Sequence, residues 1–130
     1  MKKAVRTPKN KTEMAFVSYA VDDLKRARKF YEGVLLLKPT SVWEGEGMGF
    51  IEYDLGANTL AIGKGAPNFT PGKQGGTVAL EVSDFESTVA RLRNDKVIFI
   101  TEPHETSVCF MALIADSEGN QLMIHKRKNS

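Results

Sequence analysis

The 130 residues include one cysteine, Cys109, and two histidines. A single thiol closes no internal disulfide, and no Cys-x-x-Cys spacing is present to hold zinc. A reducing cytoplasm is the expected setting. Cys109 lies in the apolar run from Val108 to Ala115, where a buried, inert thiol is expected rather than a nucleophile. Long apolar stretches are also missing. None approaches the length of a membrane span, and the opening residues lack the apolar centre of a secretory signal, so neither is expected. Charge of one sign is scarce: the net charge of +2 is too small to argue for a nucleic-acid partner. The positive charge that exists sits at the ends, with five Lys/Arg and no acid in residues 1–11 and three in the last five. Residues 1–12 are expected as a solvated basic arm rather than a phosphate- or membrane-binding one. Phosphate loops are absent as well. Gly63-Lys-Gly65 precedes no helix pattern, and Gly72-Lys-Gln-Gly-Gly76 lacks the Gly-Lys-Ser/Thr ending.

What is present is a repeat. Asp54 to Lys64, DLGANTLAIGK, and Asp116 to Lys126, DSEGNQLMIHK, share one frame 62 residues apart. At an offset of 61, Val21-Asp-Asp-Leu24 falls on Val82-Ser-Asp-Phe85. An alternating run precedes each, Phe16 to Val21 and Thr77 to Val82, and a period of two predicts a strand. Asp23 and Asp84 are good N-caps, because a short carboxylate accepts the free amides of a first helical turn. Leu24, Ala27, Tyr31 and Val34 then form one amphipathic stripe, and Phe85, Val89 and Leu92 another. Gly33 and Asn94 sit where helices tend to end.

Three strands are predicted after each helix: about 36–43, 47–54 and 58–64, then about 96–102, 107–115 and 120–126. The Asp-x-x-x-Asn turns join the last two of each set. KGAPNFTPGKQGG, with two Pro and four Gly, reads as a linker at 64–76. The expected fold is α+β: two paired βαβββ modules, 14–64 and 76–126, in a single domain over 13–127, forming a curved mixed sheet around a cleft. The pairing is open between one chain and two, because both arrangements use the same strands.

At this point the sequence resembles the vicinal oxygen chelate superfamily, with its glyoxalases, extradiol dioxygenases and bleomycin-resistance proteins. Val21-Asp-Asp-Leu24 followed by Ala27-x-x-Phe30-Tyr31-x-x-Val34-Leu35 carries the resemblance. So does Asp116-Ser-Glu-Gly-Asn-Gln-Leu-Met-Ile124, in which Ser117 and Glu118 replace the family's Pro and Asp. The resemblance implies a divalent metal held by His and Glu from the first and last strand of each half. Those positions are Phe16, Ala61, Thr77 and Met123 here, and none is a usable ligand for Zn, Ni, Mn or Fe(II). The expectation is therefore no metal and no cofactor. A small, partly apolar ligand is expected in a cleft lined by Phe16, Ser18, Ala61, Thr77, Gln121, Met123 and His125. The family's bleomycin-resistance members imply a homodimer.

An alternative keeps the cleft but makes it a lyase- or dioxygenase-type enzyme. It would use a metal site elsewhere, or His125 and Glu81 in acid–base work. A third reading fills the cleft with its own side chains. Trp43, Phe50 and Tyr53 are expected in the core more than as a stacking wall for a ligand. Pro103-His104-Glu105 is expected as a turn, with a mobile rim over the cleft as the alternative.

Overall fold

The computed structural model describes residues 15–66, 70–72, 75–107 and 109–128. The basic arm expected at 1–12 lies outside the described residues, as do 67–69 and 73–74 of the linker. The first module comprises β1 (Val17–Ala20), α1 (Leu24–Arg28), β2 (Ser41–Gly45), β3 (Met48–Leu55) and β4 (Asn58–Lys64). Helix α1 continues as a π-helical turn over Lys29–Val34. The second module comprises β5 (Val78–Glu81), α2 (Phe85–Asn94), β6 (Phe99–Glu105), β7 (Cys109–Ala115) and β8 (Gln121–Arg127). Each builds a four-stranded sheet of equivalent order, β1-β4-β3-β2 and β5-β8-β7-β6. A helical crossover can return the chain parallel to its first strand. The first strand of each module accordingly pairs in parallel with the last, Ser18 opposite Ala61 and Ala79 opposite Met123. The remaining neighbours are hairpins. The fold is α+β with mixed sheets.

Both caps form. Asp23 Oδ1 accepts the amide of Arg26 and Asp84 Oδ1 that of Ser87, each at 3.0 Å. Ala27, Phe30 and Tyr31 are the buried residues of the first helical segment, Thr88 and Leu92 those of the second. Thr88 tolerates burial because its hydroxyl donates to the Asp84 carbonyl at 2.7 Å. One apolar core runs through both modules, joining Tyr19, Tyr31, Tyr53 and Ile62 to Leu92, Ile114, Leu122 and Ile124. Odd positions of β3, Ile51 and Tyr53, face this core. Phe50 faces the other way, its ring edge-on to Phe16 at 5.4 Å.

The second strand of each module starts later than its apolar pattern suggests. Strand β2 begins at Ser41 rather than near 36, and β6 at Phe99 rather than near 96. The cause is the same in both. Leu36 and Lys96 take φ of 62°, a left-handed conformation that reverses the chain after the helix. The amides that follow, Leu37 and Val97, bond back to Tyr31 and Leu92. Pro103-His104-Glu105 is not a turn: it belongs to β6, whose pairing with β7 shifts register on both sides of Thr101.

Candidate functional site

The two modules meet along the turn between β7 and β8. Asp116 Oδ1 accepts the amides of Glu118 and Asn120, both at 2.8 Å, which closes the turn on itself. Asn120 Nδ2 donates to Asp116 Oδ2 and, across the seam, to the Ala20 carbonyl at 2.8 Å. Tyr31, fully buried, donates to Asp116 Oδ2 at 2.9 Å, and burial pushes its phenol far above the ordinary range. The Glu118 side chain is covered, between the turn and the start of α1. It accepts the amides of Asp22 and Asp23 and the Nε and Nη2 of Arg26. The Arg26 guanidinium holds its carboxyl down at about 2. The tyrosine of β1 bridges the same seam: the Tyr19 hydroxyl accepts the Val78 amide at 2.7 Å and donates to the Gln121 carbonyl at 2.6 Å.

Beside this seam lies a cavity of about 1010 Å³. Strands β1 and β5 are each terminal in their sheet, with one edge unpaired among the described residues, and both line it. Its walls are mainly apolar: Phe16, Leu35, Leu37 and Leu55 from the first module, Leu80 and Val82 from the second. A volume of this size with a few polar groups suits a small organic molecule. Two charged residues among the described ones line it, Glu81 and Arg91.

The sequence profile of the Glyoxalase/Bleomycin resistance protein/Dioxygenase superfamily matches residues 13–124. The chain belongs to this superfamily. Solved structures of similar fold include the antibiotic binding protein TnmS3 from Streptomyces sp. CB03234, with TM-score 0.78 and 20% identity over 92% of this chain and 98% of that one. A glyoxalase/bleomycin resistance protein from the same source aligns with TM-score 0.70 and 22% identity, over 86% and 98%. Lactoylglutathione lyase from Agrobacterium tumefaciens aligns with TM-score 0.70 and 17% identity, over 91% and 96%. The fold thus hosts both binding proteins and an enzyme. No curated protein matches the sequence.

Phe16, Ala61, Thr77 and Met123, where the resemblance implies the metal ligands, do not fit a divalent ion. They offer a phenyl ring, a methyl, a hydroxyl and a thioether, where such ions take imidazole and carboxylate. Among the described residues no group of three His, Cys, Asp or Glu side chains is placed to hold a metal. Phe16, Ser18 and Thr77 line the cavity; Ala61, Gln121, Met123 and His125 do not. Ala61 is fully buried beside β1. Gln121 reaches the wall from behind, donating Nε2 to Thr77 Oγ1 at 2.8 Å. Met123 stands on the second sheet between Ala79 and Leu113, so the ladder does not set it beside Phe16.

His125 touches the site through Glu81. Its Nδ1 donates to Glu81 Oε1 at 2.6 Å, while Glu81 Oε2 accepts the Arg127 amide at 2.6 Å. That amide, and then His125, hold the Glu81 carboxyl below its usual range. The aromatic strand residues divide. Tyr53 is buried and stacks on Tyr31, whereas Trp43 is 53% exposed opposite Phe50 in the ladder. Cys109 is buried, with its sulfur 3.3 Å from the Thr106 hydroxyl.

The sequence reading missed Arg91. Its Nε is buried without a hydrogen-bond partner, as is Ser18 Oγ, and both residues line the cavity. A signal existed: Arg91 falls three residues after Thr88 and one before Leu92, on the flank of the buried helical stripe.

Proposed function

We propose that this protein binds a small, partly apolar molecule in the seam cavity without a metal ion. The observation that carries the reading is the cavity itself, about 1010 Å³ with aliphatic and aromatic walls from both modules. The donor chemistry at the superfamily's metal positions supports the metal-free part. The likeness to a protein described as antibiotic binding supports binding rather than turnover. In this reading Phe16, Ser18 and Thr77 touch the ligand directly, while Ala61, Gln121, Met123 and His125 shape or support the wall. The molecule is cytoplasmic, one domain built from an internal repeat, and works as a homodimer. Nucleic acid and membrane are not among the partners proposed. No described helix is long and apolar enough to cross a bilayer.

The test has two parts. Elemental analysis of protein purified without chelators is expected to find less than about one-tenth equivalent of transition metal, because the described residues form no strong ligand set. Titration with the neutral fluorophore N-phenyl-1-naphthylamine is expected to saturate. Leu37→Glu is expected to weaken that binding by about 1–3 kcal/mol, since it places a charge in an apolar wall. A stoichiometric ion, or no uptake of the probe, overturns the reading. The second outcome would favour a cavity filled by the protein's own side chains.

A second reading has a specific observation behind it. The Glu81–His125 contact joins a cavity-lining carboxylate to an imidazole, the elements of an acid–base pair. Under this reading His125→Gln would abolish turnover of a substrate that the variant still binds.

A further inference from the structure

Arg91 brings a positive charge to the cavity wall, and no acid among the described residues of that wall answers it. Glu81 is the other charged lining residue among the described ones, and both of its oxygens are engaged, one by His125 and one by the Arg127 amide. Arginines nearby are treated differently. Arg26 is paired with Glu118, Arg28 with Glu32, and Arg93 with Glu102 while lying over the Phe99 ring. Arg91 forms no ion pair among the described residues, and its Nε is buried with no acceptor. A buried guanidinium N–H without an acceptor is costly and uncommon in folded proteins, and an anion that the side chain turns to meet is one of the few conditions that accounts for it. Ser18 Oγ, on the other module, is a second buried polar atom without a partner facing the same problem.

We propose that Arg91 is the polar anchor of the cavity and that its ligand is an apolar organic acid, with a carboxylate on the Arg91 guanidinium. The inference rests on the binding reading above and adds the ligand's class to it. The chemistry favours a carboxylate. The Nε–H and a neighbouring Nη–H form a planar fork that matches the two oxygens of a carboxylate. Arg91 is the one cation among the described lining residues and balances one negative charge, whereas a phosphate dianion calls for a second cation. The aliphatic walls take the remainder of the molecule, and the Ser18 hydroxyl gives a neutral polar contact on the module opposite Arg91.

The experiment compares 11-(dansylamino)undecanoic acid with its methyl ester, which keeps the apolar body and removes the charge. Fluorescence titration of the full chain is expected to show the acid binding at least about tenfold more tightly than the ester. Arg91→Met keeps the apolar stem; it is expected to lose that preference while leaving ester affinity within about twofold. Its melting temperature without ligand should be unchanged or higher, because an unpaired buried group has been removed. A structural arginine would show the reverse, a lower melting temperature with the acid preference intact, and that result overturns the proposal. Equal wild-type binding of acid and ester overturns it too, yet leaves the cavity as a binding site. Failure of both probes to bind removes the binding reading and this inference with it. The acid–ester comparison on the wild type decides the matter even if the variant does not fold.

Discussion

Glu118 accepts hydrogen bonds from the amides of Asp22 and Asp23, from Arg26 Nε and Nη2, and from Ser117 Oγ. Its side chain is 1% exposed. These contacts, with Arg26 first, hold the carboxyl at about 2 against an ordinary 4.5. A carboxylate depressed in the folded state adds stability that is complete above the ordinary value and is lost as pH falls toward the folded one. Glu118→Gln is therefore expected to cost about 1–3 kcal/mol at neutral pH and to flatten the stability profile below about pH 4.5. Urea unfolding of both proteins at pH 3 and pH 7 checks this; a variant with the wild-type acid profile would contradict it. Tyr31→Phe removes the donor to Asp116 at the centre of the same seam, and a loss of about 1–3 kcal/mol at neutral pH is expected by the same measurement. Val21-Asp-Asp-Leu24 and Asp116-Ser-Glu-Gly-Asn120 are legible as separate stretches in the sequence. That Glu118 of the second binds the backbone of the first is not, because the two lie 95 residues apart and each has a complete local explanation.

At the scale of elements, one sequence frame makes two different turns. After Asp54 the chain turns over Gly56 and Ala57 with Leu55 opposite Asn58, a tight hairpin with Gly56 at φ of 68°. After Asp116 the ladder stops at Ala115 opposite Gln121, leaving five residues that wrap Asp116 and reach the first module. The alternation and turn residues around β4 were legible, and its bounds of 58–64 match the pattern. The start of β2 was not, because Leu36-Leu37 has strand-like composition while Leu36 is in the left-handed region and Leu37 closes the helix. The π-helical turn was hidden for a similar reason: the Leu35 amide reaches the Phe30 carbonyl, a spacing with no apolar signature.

Two glycines separate packing from propensity. A Cβ on Gly49 would stand 2.3 Å from the Leu24 Cδ2 methyl, so Gly49→Ala forces that side chain from its rotamer and is expected to cost about 0.5–1.5 kcal/mol. A Cβ on Gly33 meets nothing within 4 Å, so Gly33→Ala is expected to add up to about 1 kcal/mol. Thermal melts of the pair should move in opposite directions; a shift in the same direction would contradict the packing assigned to Leu24.

At the scale of the molecule, the core and the seam tie both modules together within one chain, and still leave work for a second. Strands β1 and β5 keep an unpaired edge among the described residues, and Val42, Trp43 and Met48 leave apolar surface exposed on the first sheet. Edges and patches of this kind are usually covered. Light scattering at micromolar concentration is expected to give twice the chain mass, and a monomer would count against the homodimer. The cavity was legible in outline, since two modules with helices imply a space between first strands. Its polar wall was less so, because the repeat counterpart of Arg91 is the apolar Phe30, and only its place on the flank of the buried stripe marks it. The central claim is that this cavity holds a small apolar molecule with no metal. Calorimetric titration of chelator-treated protein with N-phenyl-1-naphthylamine tests it most directly. Saturable binding of one probe per chain is expected, with a negative heat-capacity change and unaltered by added zinc or nickel. Absence of saturable binding, or binding that appears only once metal is restored, would contradict it.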